Sequence, residues 1–285
     1  MRYVGVDEVL TTEQGLAIKD RAVTAARRQF IARKLFPIGP TLGEGAQTFG
    51  YDTMAEASAA RIDMQWPGPE SKDITNLARS TVSIPNVHKE FEINKLDLAS
   101  SRMNGTPLNL SQVDAAAYQV ALQEDALLIE GWSRDGTTYE INGLYQGAVN
   151  SVAGADFTVK ANIEISILQA IGALETDGIY APYNMVLNPI QYAETLATIA
   201  NTGITYREYL EKTIEGKVYQ TPAITAGTGL VSKANADGMF EYVMAEDVSV
   251  YTTILEKSRN LWGKAYIRGL PVIYDANAIC KLTTL

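Results

Sequence analysis

The chain has 285 residues, 46% of them hydrophobic and 20% charged, a balance that excludes a disordered polymer and leaves material for a substantial core. Its 24 Lys and Arg against 33 Asp and Glu give a formal charge of −9, which argues against a broad nucleic-acid-binding face, although Arg27, Arg28, Arg33 and Lys34 form a local basic patch. The single cysteine excludes an intramolecular disulfide framework, and no apolar run reaches the length of a signal peptide or of a membrane span of about 20 residues; the cytoplasm is the expected location.

In chain order, Thr11 to Lys34 reads as an amphipathic helix with Leu16, Val23, Ala26 and Phe30 on its apolar stripe, ended by Ile38-Gly39-Pro40. Residues 41–86 are interrupted by Gly43, Gly45, Gly50 and the Trp66-Pro67-Gly68-Pro69 break. The β-like runs Ala60 to Met64 and Thr81 to Ile84 flank that break and predict a long two-stranded excursion. An isolated hairpin of that kind is marginal in water, so it needs a surface to lie on, and a neighbouring subunit is the natural one. Val87 to Leu98 predicts a strand leading into a short helix or turn. The strongest helix runs from Ser111, read as its N-cap, to Gly131, with Val113, Ala117, Val120 and Leu127 on one face.

From Phe157 to Ala236 helices and strands alternate. Ile163, Ile167, Ile171 and Leu174 mark a helix stopped by Asp177-Gly178, Tyr183 to Leu187 is a short buried strand, Pro189 opens the next helix, and another spans Thr205 to Gly216. The tail is β-type: Tyr242 to Ala245, Val248 to Ile254, Ala265 to Ile267, Val272 to Tyr274 and Ile279 to Leu282. Helices and strands mix without βαβ repetition, which predicts an α+β fold.

Catalytic constellations are absent from the pattern. The one histidine, His88, sits in a predicted strand or turn, and no Gly-x-Ser-x-Gly elbow accompanies it. One Cys and one His cannot make a zinc site, and Cys280, in the last predicted strand, reads as a small packed residue. Glu124 and Asp125 are adjacent on a helix and therefore point about 100° apart, which gives no shared ligand face; Glu246-Asp247 reads as the solvated start of a strand. Gly227-Thr228-Gly229 is too short for a dinucleotide fingerprint. No catalytic, metal or cofactor residues are assigned, and a chain of this length without them points to structural work.

Taken as a series, the segments resemble the encapsulin family, whose subunits share the Hong Kong 97-type capsid fold of tailed phages. The resemblance covers nearly the whole chain. It rests on Ala25 to Lys34 followed by Gly39-Pro40, on Ser83 to Phe91, on Val120 to Gly131, on Asp177 to Pro189, on Gly216 to Ile224 and on Phe240 to Val250. It implies a subunit with an N-terminal helix and arm (1–45), an extended loop (46–86), a peripheral domain with a spine helix (87–155), an axial domain (156–236) and a return to the peripheral domain (237–285). The implied function is self-assembly into a closed icosahedral shell around a cargo protein such as a peroxidase or ferritin-like enzyme. The alternative is a phage or archaeal viral capsid around a genome, with nucleic acid as partner and the virion as location only in that case. Some relatives stack a flavin on a loop aromatic; Asn76-Leu77-Ala78 offers none, so no flavin is expected there. In the family a cargo tail docks beside the N-terminal helix, which carries over to Phe30, Arg33, Lys34 and Leu35.

Overall fold

The computed structural model describes residues 10, 12–28, 30–54, 62, 64, 77–104, 107–254 and 260–285. The elements in order are α1 (Thr12–Arg27), a 3-10 turn (Ala32–Lys34), β1 (Ile38–Thr41), β2 (Thr48–Met54), β3 (Leu77–Ser83), β4 (Asn86–Ile93), α2 (Lys95–Asn104), α3 (Ser111–Ile129), β5 (Gly131–Ser133), β6 (Tyr139–Asn142), α4 (Leu144–Gly147), β7 (Asn150–Ala153), α5 (Ala161–Thr176), β8 (Tyr183–Leu187), α6 (Pro189–Thr195), α7 (Tyr206–Thr213), β9 (Val218–Gln220), β10 (Gly229–Lys233), β11 (Phe240–Ile254), β12 (Leu261–Ile273) and β13 (Ile279–Thr283).

Two sheets organise them. The first has the order β1-β11-β12-β4, with β1 parallel to β11 and the remaining pairs antiparallel. Along β12 the inward positions alternate as a half-buried strand requires, placing Leu261, Ala265 and Ile267 toward α3. α3 crosses that face and α1 packs on α3 and β11, closing a core of Ile18, Ala22, Ala26, Phe91, Val113, Ala117 and Val120. The second sheet has the order β7-β13-β10-β8-β9. Against it α5 lays Ile163, Ile167, Ala170 and Leu174, one face of a 3.6-residue period, onto Met185, Leu187, Val231 and Leu282. A third cluster joins the sheets, with Leu35, Phe36, Leu128, Ile129, Leu230, Phe240 and Ile279 in contact and Phe36 edge-on to Phe240 at 5.4 Å.

Several boundaries differ from the sequence reading, each for a local reason. α1 ends at Arg27, not at Lys34, because the backbone beyond it is bound by a side chain from α3, as described below. Ala26 of the expected stripe is buried, but Leu16 is 55% exposed and the other inward positions are Ile18 and Ala22; the small alanines let α1 lie close to α3. Ser111 is the first residue of α3 and not its cap: its N–H is met by the Asn109 side chain, and Asp114 pairs with Arg21 at 2.7 Å. The excursion at 46–86 does hold a hairpin, but Thr81 pairs with Gly50 of β2. The runs Ala60–Met64 and Trp66–Pro69 lie outside the described residues apart from Ile62 and Met64. The tail's first four short runs are two long strands, β11 and β12, whose register shifts near Met244 to Ser249 break the alternation that a sequence reading needs. Finally, β13 pairs with β10 and β7, so the last strand of 237–285 sits in the five-stranded sheet with the elements of 156–236.

Gly131 ends α3 as expected. It adopts φ +102°, and a side chain there would collide with the Ile141 carbonyl.

Candidate docking segment and its buried charge cluster

The segment Phe30 to Phe36 links α1 to β1 and holds all four candidate docking residues. It is not helical throughout, because Asp125 of α3 accepts hydrogen bonds from the backbone N–H of Ile31 at 3.0 Å and of Ala32 at 3.0 Å. Those two bonds satisfy donors that would otherwise be buried without partners. Arg33 then reaches across to Glu124, at 3.0 Å, and to Asp247 of β11, also at 3.0 Å. Its guanidinium lies over the Phe30 ring, 3.9 Å from the centroid, and 5.6 Å from the centroid of Tyr242.

The four candidates therefore do not form one surface. Phe30 and Leu35 are buried at 7% and 2% exposure in separate apolar clusters. Arg33 is half-buried and engaged by two carboxylates, and Lys34 alone is exposed. A contact surface for another chain needs accessible atoms, and Phe30 and Leu35 offer almost none in this conformation.

Sequence reasoning set Glu124 and Asp125 aside as a ligand pair and missed their structural part. Both are 1% exposed. The usable signal was their spacing: Val120, Glu124 and Leu128 fall four apart on α3, as do Ala121, Asp125 and Ile129, so each acid occupies a position flanked by buried residues. Burial pushes the Glu124 carboxyl up to about 7 although Arg33 pulls it down, and burial pushes the Asp125 carboxyl up to about 6 against the Ile31 and Ala32 amides and the nearby cations. Tyr242 is buried beside them, and burial and then Glu124 raise its hydroxyl far above the ordinary tyrosine value. Asp247, read as a solvated strand start, is exposed but holds the outer side of Arg33.

His88 stands exposed on β4, with Nδ1 3.3 Å from the Asn86 carbonyl. It borders a groove of about 720 Å³ shared with Gln123, Trp132, Arg134 and Glu140. Among the described residues no group of three or more His, Cys, Asp or Glu side chains is arranged to hold a metal ion, and no helix is long and apolar enough to cross a membrane. Cys280 is fully buried, and burial pushes its thiol up to about 11, well away from nucleophilic use. Large apolar side chains nonetheless reach the surface: Ile38, Leu96, Met103, Tyr180 and Ile190 are each at least 60% exposed.

A family signature described as "Encapsulating protein for peroxidase" matches residues 8–258. The chain is 27% identical over 242 residues to the type 1 encapsulin shell protein EncA of Myxococcus xanthus, covering 85% of this chain and 83% of that protein. It is 22% identical over 235 residues to the type 1 encapsulin shell protein of Brevibacterium linens, covering 82% and 81%. Among solved structures, a virus-like particle from Pyrococcus furiosus superposes with a TM-score of 0.70 at 16% identity, covering 95% of this chain and all of that one. The capsid of Myoviridae phage XM1 gives 0.66 at 13% identity, covering 90% and 91%.

Proposed function

The chain belongs to the encapsulin family and has the Hong Kong 97-type capsid fold, and from that premise we propose that its copies close into an icosahedral compartment around a protein cargo. It is a structural, self-assembling shell subunit, and the observation that carries this is the family signature across residues 8–258. Identical subunits close by symmetry, and obligate interfaces are large and apolar. The exposed Ile38, Leu96, Met103, Tyr180 and Ile190 supply side chains suited to such interfaces.

For the contents we propose an enzyme, a peroxidase or a ferritin-like protein, held in a cytoplasmic shell; the family description names a peroxidase. Docking is proposed beside the Phe30 to Leu35 segment, with exposed Lys34 and the outer edge of Arg33 making contact while Phe30 and Leu35 hold the segment in place. Lys34→Glu should lower co-purified cargo at unchanged particle yield, read by mass spectrometry of purified particles. Undiminished loading would move docking elsewhere.

The phage capsids among the fold neighbours favour a second reading, a viral shell around a genome. Negative-stain microscopy with mass analysis of the contents separates the two. Uniform particles holding a dominant enzyme support the compartment, particles filled with nucleic acid support the capsid, and a dispersed monomer removes both.

A further inference from the structure

The link between α1 and β1 is fastened to α3 by acids as much as by apolar contact, and two polar atoms at that junction are buried without partners. Asp125 spends both oxygens on the Ile31 and Ala32 amides. Glu124 gives Oε1 to Arg33, whereas its Oε2 is buried with no hydrogen-bond partner among the described residues. The Tyr242 hydroxyl, which faces Glu124, is likewise buried and unpartnered. It cannot move toward β12, because it lies against Gly269, where even a methyl group would collide with it.

The charged and titratable groups around this junction come from three elements: Arg33 and Lys34 from the segment, Tyr242 and Asp247 from β11, and the two acids themselves from α3. Only Arg33 reaches inside, and it is shared between Glu124 and Asp247. One cation cannot neutralise three carboxylates, and two of the three have been taken out of water. A proton on Glu124 removes one of the buried charges that Arg33 alone cannot neutralise.

We propose that Glu124 and Asp125 form a proton-operated clamp on residues 30–36, fastened when the pair holds a proton and loosened when both carboxyls are ionised. The clamp belongs to the subunit itself and operates whether the shell encloses an enzyme or a genome. Its direction follows from which state holds the proton. The closed junction raises both carboxyls, to about 7 and about 6, above their ordinary values of 4.5 and 3.8, which a hydrated, opened junction would restore. Closure therefore takes up protons. Its advantage is full below the ordinary values and is lost as pH rises through about 6 to 7. Mild alkali loosens the segment that leads into β1 at the sheet edge, and mild acid secures it.

The test is hydrogen exchange by mass spectrometry on assembled full-length particles, at about pH 5.5 and about pH 8, with protection factors corrected for intrinsic exchange. In the wild type, protection of residues 30–36 should fall ~10-fold or more over that range while α5 is unchanged. Glu124→Gln, a neutral isostere, should keep its protection at the higher pH. Asp125→Asn, which retains an acceptor for the Ile31 and Ala32 amides, should show a reduced dependence. A wild-type segment whose protection does not vary with pH overturns the clamp, as does a slope unchanged in both variants. Since each reading is made within one protein across pH, a general loss of stability in a variant does not imitate the expected result.

Discussion

Around α5 the chain is fastened by apolar side chains, with Ile163, Ile167, Ala170 and Leu174 set into the five-stranded sheet. Around α3 the same task is divided between apolar side chains, two carboxylates that share Arg33, and Asp125, which holds the backbone amides of Ile31 and Ala32. The first arrangement is non-directional and indifferent to pH, and it tolerates swaps that conserve volume. The second fixes the position of a single segment by directed bonds, but it depends on every partner staying in place and on the protonation of groups buried at 1% exposure. A shell subunit gains from having both: a rigid body, and a connection into the sheet edge that solution conditions can adjust.

The sharpest way to break this comparison is to remove the shared cation. Arg33→Ala leaves Glu124 facing its neighbours with no positive partner, and breaking a buried pair from one side costs about 3–5 kcal/mol. Denaturant unfolding should show the larger loss at about pH 8 and a smaller one at about pH 5, where Glu124 holds a proton and needs no cation. An equal loss at both values would mean that Arg33 matters through its packing on Phe30 instead. Next in size is Ile167→Ala, which empties part of the apolar core beneath α5 for about 2–5 kcal/mol. That loss should be the same at both pH values. A pH-dependent loss at Ile167 would show that the two regions are coupled and not separately fastened.

The same contrast sets what the sequence made legible. α5 and the end of α3 were readable because their cores follow one period and end at Gly178 and Gly131, both at positive φ, and β8 because it is a short, almost continuously buried run before Pro189. Pro189 announced α6 for a similar local reason, and the Asn188 side chain, accepting from the Ile190 N–H, caps it. On the α1 stripe Ala26 and Phe30 were read correctly, but Leu16 was taken for an inward position that Ile18 and Ala22 fill. β11 was divided in two because its register shifts interrupt the alternation. The charge cluster was the least readable feature. Arg33, Glu124 and Asp247 are brought together from 91 to 214 residues apart, and nothing local distinguishes a buried acid from a solvated one except the apolar residues four positions either side. For the docking residues, sequence likeness gave the segment, but which side chains face outward depends on Asp125 drawing the backbone onto α3.

The smallest expected effect is also the most specific to this cluster. At about pH 5 the Tyr242 hydroxyl faces a protonated Glu124 and at most accepts one weak bond, so Tyr242→Phe should change stability by less than ~1 kcal/mol. As the pH rises, Glu124 ionises and its Oε2 becomes a buried anionic acceptor without a partner. The hydroxyl of Tyr242, whose own pKa is raised so that it keeps its proton, is then the donor within reach. The cost of Tyr242→Phe should therefore grow between about pH 5 and about pH 8, in the same direction as that of Arg33→Ala but with smaller amplitude. A cost largest at the acid end would mean that the hydroxyl serves the protonated carboxyl instead, and the proton would then lie between Glu124 and Tyr242 in the fastened state.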